Sequence, residues 1–274
     1  MNIRNEIKRA KREIVSYDPE VREGLCVAMK AMPAFSAALF LLAWASPAFA
    51  APVCLGKADI SGTRIARVEN DSGLTLSDGR VVKLEGIRLA PSGAEMLRQM
   101  TVAHAADLYA ADPQRDRYGR IRAQLVLSDG AWLQQILLEQ GLGRVELAPD
   151  KATCAVELYA AEAKARASRT GLWKLSTNAV RGVTLAKADT GTFQIVEGEV
   201  LSVDIRNGRA YLNFGTDYKT DFTLTISPED RKAYWGKTNP HDYLGKSIRV
   251  RGIVQYYNGP ELEVAAPHQI EIVQ

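Results

Sequence analysis

Residues 82–91 read V-K-L-E-G-I-R-L-A-P, a strand-like run that stops at a proline. Strand ends are common places for chemistry, because a rigid scaffold fixes the groups that project there. The groups at this end are Arg88, Leu89 and Pro91. Arg88 offers donors and a permanent positive charge and cannot serve as a base. The neighbouring acids are Glu85 and Glu95. Glu85 precedes Gly86-Ile87 and is expected on the sheet, not at its end; Glu95 is expected in the following helix. Moving an acid to the end needs a one-residue slip, which would turn the strand's apolar face outward.

Other chemistry-bearing residues are sparse. His104, His241 and His268 are far apart and show no metal-ligand spacing, so they are expected on the surface or in loops. Of the cysteines, Cys26 falls in a leader, which leaves Cys54 and Cys154. An even count in an oxidising compartment predicts that these pair and tie the mature N-terminus to a later helix.

The oxidising compartment is inferred from residues 1–50. Ala34–Ala45 is an apolar run preceded by Lys30 and followed by S-P-A-F-A, with Ala48 and Ala50 in an A-x-A arrangement. Residues 1–50 are therefore expected to be a signal peptide with an upstream extension, cleaved after Ala50, and the true start is expected at Met29. The apolar run is too short to span a bilayer comfortably. The mature chain is expected to carry no membrane span and to be periplasmic or secreted. V-C at 53–54 is a poor lipobox, so no lipid anchor is expected.

The charge balance limits the partners. Residues 51–189 carry 19 basic and 16 acidic side chains, and residues 190–274 carry 9 and 11. Neither part has the strongly basic footprint of a dedicated nucleic-acid binder.

The elements that must position these residues are mainly strands. Residues 61–68 and 74–77 read as strands, and Asp78-Gly79 turns the chain into a strand over 81–88. A helix is expected over 92–106, with short strands at 107–111 and 121–127. An amphipathic helix from Trp132 ends at Gly141, a good residue for the left-handed position after a helix. A short strand at 142–146 and an Ala-rich helix from Cys154 to Thr170 follow; Gly171 stops that helix, and Trp173 packs back. Residues 176–191 read as a linker. Residues 192–274 then show strands at 193–204, 209–214, 219–226, 246–256, 261–264 and 269–273. Ser227 and Pro228 open a short helix among them. Three strands, a helix and two strands is the order of an OB-type barrel.

D-R-Y-G-R at 116–120, G-L-G-R-V-E at 141–146 and T-G-L-W-K at 170–174, together with V-K-L-E-G-I-R-L-A-P, resemble the thermonuclease family, also called staphylococcal-nuclease-like. The resemblance spans about residues 58–175. It implies an OB-type barrel with three helices over 51–175; with the second small OB-like barrel read from the strand order over 192–274, the expected fold is mainly β (α+β). It also implies calcium-dependent hydrolysis of nucleic-acid phosphodiesters. In that chemistry carboxylates hold the hard cation, a glutamate positions or deprotonates water, and two arginines neutralise phosphate.

Carried over residue by residue, the resemblance places Lys83 at one arginine, Arg88 at the metal-binding aspartate and Pro91 at the catalytic glutamate. The aspartate of an earlier turn falls at Ser72, beside Asp71, and the family's late tyrosines fall at Leu147 and Pro149. Arg120 keeps the second arginine, with Tyr118 and Asp116 beside it. No catalytic set is intact, and calcium is expected only if the family activity were retained. Lys83, Arg88, Arg120 and Tyr118 remain as phosphate- or anion-binding candidates. For Arg120, pairing with Asp116 suits the residue equally well. The expectation is a catalytically degenerate, exported relative that binds nucleic acid, another anion or a periplasmic protein; the alternative is a divergent nuclease with different acids. Arg249 and Arg251 alternate on one strand, as expected of a half-exposed strand in a protein-contact or structural role.

Overall fold

The computed structural model describes residues 52–69, 73–101, 104–109, 115–185, 187–217 and 219–273. The expected signal peptide with its Ala50 cleavage site, Met29, Cys26, Asp71 and Ser72 lie outside the described residues.

The first part runs β1 (Ala58–Val68), β2 (Gly73–Leu76), β3 (Val81–Leu84), β4 (Ile87–Leu89), α1 (Gly93–Thr101), β5 (Ala105–Tyr109), β6 (Ile121–Leu127), α2 (Leu133–Glu139), β7 (Gly143–Val145) and α3 (Ala155–Ala167). Strands β1, β2, β3, β6 and β5 close into a barrel in that order. Its core includes Leu74, Val82, Leu84, Leu108 and Leu125, all fully buried, with Leu97 of α1, Leu137 of α2 and Leu158 of α3 packed over it. The Asp78-Gly79 turn forms as expected: Gly79 has φ 84°, and the Asp78 carboxylate accepts the Arg80 N–H at 3.0 Å.

The expected strand over 81–88 is in fact two. Strand β3 ends at Leu84, where the Glu85 N–H donates to the Ala123 carbonyl at 3.0 Å. Gly86 has φ 84°, a conformation that redirects the chain and favours glycine. A Cβ there would also sit 2.7 Å from the Leu158 side chain. Strand β4 then leaves the barrel and pairs with β7, Arg88 opposite Arg144. Glu85 therefore sits at the end of β3 and not within the strand. Helix α1 is also shorter than expected: Ala105 and Ala106 belong to β5, where they pair with Arg64 and Thr63 of β1. Apolar residues at this density fit either element, and pairing with β1 decides between them.

Gly141 and Gly171 explain how the helix ends fit together. Both have positive φ, and a Cβ on either would lie 2.2 Å from a carbonyl oxygen of the other segment. This close approach lets the Leu172 N–H donate to the Gly141 carbonyl at 2.9 Å.

The second part runs β8 (Val180–Arg181), β9 (Phe193–Glu199), β10 (Ser202–Arg206), β11 (Arg209–Asn213), β12 (Thr223–Ile226), α4 (Pro228–Tyr234), β13 (Ser247–Ile253), β14 (Gln255–Tyr256), β15 (Pro260–Glu263) and β16 (Glu271–Ile272). Ser227 caps α4, its side chain accepting the Asp230 N–H. The expected second OB-like unit is built as a five-stranded sheet, β10-β11-β12-β15-β14, and a four-stranded sheet, β16-β13-β9-β8. The two long strands read over 193–204 and 246–256 are each bent and shared between sheets. At the first bend the Val200 N–H donates to Lys246 and the Leu201 N–H donates to Asn213, so consecutive residues serve different sheets. Val254 separates β13 from β14. Phe222, Leu224, Ile248, Val250 and Leu262 fill the space between. The segment read as a linker supplies β8, which runs parallel to β9.

A small third cluster joins the two parts. Ala165 of α3, Trp173 and Ile195 of β9 are buried together, with Leu172, Val180 and Phe193 against them.

Candidate functional site

Arg88, Arg120 and Lys83 stand in three settings, two of which share Glu146. Arg88, on β4, meets Glu146 just beyond β7. Its Nη2 donates to Glu146 Oε1 at 2.8 Å, and its Nε donates to Oε2. This is a forked guanidinium–carboxylate pair, the strong geometry for arginine. It is 65% exposed on the arginine side, so its contribution to stability is small.

Arg120 precedes β6 and is held by Asp116, with Nε 2.8 Å from Oδ2 and both side chains mostly buried. The other Asp116 oxygen accepts the backbone N–H groups of Tyr118 and Arg120 at 2.9 Å, which builds the turn. Burial pushes the Asp116 carboxyl up, but the backbone and guanidinium of Arg120 and the N–H of Tyr118 outweigh it and hold the group below its usual range. Tyr118 is 65% exposed, with the guanidinium carbons of Arg117 and Arg120 at 4.8 and 4.9 Å from its ring centre. The pairing use of Arg120 is thus realised, and its stacked tyrosine remains open to solvent.

Lys83 lines a third place, a cleft of about 210 Å³ with Glu85, Arg122, Glu146 and Pro149. Arg122 binds Asp150 through both terminal nitrogens, at 2.9 and 2.6 Å, and its Nε is 3.7 Å from Glu85. Glu85 is 6% exposed. Burial pushes its carboxyl up, and Arg122, Lys151 and Lys83 offset this only in part. The Arg122 hydrogen bond holds Asp150 below its usual range. Sequence reading missed this group because Gly86 was read as a strand residue. A glycine after an otherwise alternating strand was the available signal.

The donor set around Arg88 does not fit a hard divalent cation. The Arg88 guanidinium already takes up Glu146, and Pro91 offers no side-chain oxygen. Among the described residues, Cys54, Cys154 and Glu157 also approach within 4.8 Å of one another. Their sulfurs are bonded to each other, as expected from the cysteine count: Cys54 and Cys154 form a disulfide with Cα atoms 5.3 Å apart at the start of α3.

A separate groove of about 350 Å³ lies on the outer face of the five-stranded sheet. Ser202, Asn213, Thr223 and Glu261 lie side by side across four strands. The Asn213 amide donates to Ser202 at 3.1 Å and accepts from Thr223 at 3.3 Å. Tyr211 and Tyr257 flank this row.

At the junction of the two parts, Glu162 of α3 is fully buried. It accepts the Val145 N–H at 2.9 Å and the Arg251 guanidinium at 2.5 Å. Arg251 also binds Glu271 and stacks on Tyr159, with its guanidinium carbon 4.6 Å from the ring centre. Arg251 is therefore a buried structural cation, not the half-exposed strand residue its alternation suggested. The Tyr159 hydroxyl donates to the His268 carbonyl at 3.2 Å, and Gln269 reaches the Leu147 carbonyl at 2.9 Å. His268 thus belongs to this junction.

Among the described residues, no helix is long and apolar enough to cross a membrane. Residues 88–175 match the family model of the staphylococcal nuclease homologues. No curated protein matches the chain. With the closed five-stranded barrel, the match supports a staphylococcal-nuclease-like domain that includes residues 88–175.

Proposed function

We propose that this is an exported nuclease-like protein that holds a nucleic acid, another anion or a protein partner and lacks the family's calcium-dependent phosphodiesterase activity. The observation that carries the reading is the Arg88–Glu146 pair, a neutralised cation where the resemblance would put a metal ligand. Loss of a positioned acid or base commonly lowers a rate by about 10²–10⁴. Exposed Tyr118, stacked beside Arg117 and Arg120, supplies a surface for a base and its phosphate. Export is supported by the A-x-A leader and by a disulfide suited to an oxidising compartment. We further assign 51–175 as the nuclease-like domain, 176–191 as the connection and 192–274 as a C-terminal OB-like domain.

Cleavage of single-stranded DNA, duplex DNA and RNA with Ca²⁺, Mg²⁺ or EDTA tests this reading. The expected result is no metal-dependent cleavage, with salt-sensitive binding that weakens in Tyr118→Ala. Metal-dependent cleavage abolished by Arg120→Ala would overturn it. A divergent nuclease is the second reading, and Glu85 is the observation in its favour: a buried acid with a raised pKa, beside an arginine in a cleft. That reading requires cleavage to disappear in Glu85→Gln.

A further inference from the structure

We propose that the junction between the barrel and the C-terminal sheets is an anion site centred on Arg144, for a small molecule that carries one phosphate or carboxylate on an apolar body. The site is a cleft of about 340 Å³. Pockets of this size suit a small organic ligand.

Charge pairing singles out Arg144. Arg88 is matched by Glu146, Arg249 by Glu197 and Glu271, and Arg251 by Glu162 and Glu271; Arg166 approaches Glu162 at 3.9 Å. With Arg144 included, five guanidinium groups face four carboxylates. Arg144 is the member of this group that lines the cleft with no hydrogen-bond or ion-pair partner among the described residues. Its guanidinium carbon lies 4.3 Å from the Phe193 ring centre. That stack holds the fork in place and leaves its donors unused. Burial, and then the charge of Arg88, push the Arg144 pKa down, with Glu162 and Glu146 offsetting part of this, and an anion arriving here would favour the charged form.

The walls set the rest of the ligand. Phe193, Ile253, Leu147 and Tyr159 give apolar surface, while Arg88 and Arg251 are already neutralised. Glu146 also lines the cleft and is turned toward Arg88. One anionic group therefore suits the site, and a polyanion gains little more. The site is independent of the proposed polyanion surface at Tyr118, because it uses other residues.

Calorimetric titration of the full protein at low salt tests the proposal with three probes: phenyl phosphate, inorganic phosphate and benzyl alcohol. Phenyl phosphate is expected to bind tightest, inorganic phosphate more weakly and benzyl alcohol not at all. Arg144→Gln should weaken phenyl phosphate by about 10-fold or more, the scale of a lost charge-assisted hydrogen bond, and Arg144→Lys should recover part of this. Arg80→Gln, which removes an equal charge elsewhere, should change nothing. Should Arg144→Gln fail to fold, phenyl phosphate must still perturb the Phe193 ring and Ile253 methyl resonances of the unaltered protein. Unchanged affinity in a folded Arg144→Gln, equal binding of benzyl alcohol, or silence at Phe193 and Ile253 would overturn the proposal.

Discussion

The barrel and the C-terminal sheets follow the same strand path with different surfaces laid over it. In each, the first strand pairs with the second and the second with the third. The third lies parallel to the fifth, the fifth pairs with the fourth, and the fourth returns to the first. A helix interrupts each path before the fourth strand, α1 in one and α4 in the other. The first is a closed barrel with a disulfide, and its Arg88 and Arg120 are each paired with a carboxylate. The C-terminal path bends at Val200 and Val254 and keeps a groove of unbonded space on its outer face. A shared path thus fixes where a site can be placed, and the side chains on the outer surface decide what chemistry it carries.

Breaking the disulfide should separate the two regions most strongly. It links residues 100 apart in sequence, and closure of a loop this long is worth about 4.7 kcal/mol in the chain-entropy account. Reductant, or Cys54→Ser with Cys154→Ser, should lower the unfolding transition of the barrel far more than that of the sheets. Residue-resolved hydrogen exchange reads the two separately, and equal losses in both would contradict the distinction.

Arg251→Ala should affect both regions. It leaves Glu162 buried without its closest cation, and removing one partner of a buried pair typically costs about 3–5 kcal/mol. Thermal melts should show recovery of most of the loss in Arg251→Met combined with Glu162→Gln. No recovery would assign the loss to packing instead of charge.

The smallest effect is at Glu85 and has a defined sign with pH. Its folded pKa is raised, so its burial penalty is present at neutral pH and is relieved as pH falls through the folded value. Glu85→Gln should therefore raise Tm near pH 7, by no more than about 2–4 °C, with the gain shrinking as the solution is acidified. Asp150 behaves oppositely. Its folded pKa is depressed by Arg122, so its contribution is present at neutral pH and is lost as pH falls through that depressed value.

The sequence carried the local signals that act through neighbours in the chain. Asp78-Gly79, Gly141, Gly171 and the Ser227-Pro228 cap all form where their types predict. The cysteine count gave the disulfide. Relations set by distant pairing were not visible. Nothing near Arg88 in sequence announces Glu146, 58 residues away, and nothing near Arg251 announces Glu162, 89 residues away. Gly86 was misread for the same reason: its turn is explained by Leu158 of α3 pressing against the place where a side chain would be. The two broken C-terminal strands show continuous patterns in sequence, because a bent strand keeps its residues apolar on both sides of the bend.

The bond from Cys54 to Cys154 has a consequence for how the molecule would come apart. It encloses β1 through β7, so one cut anywhere along that stretch opens a ring without releasing a piece. A nicked molecule would travel as a single species on a gel until a thiol is added, and only then resolve into two. In a compartment rich in proteases, damage to this barrel would leave its fragments tethered side by side.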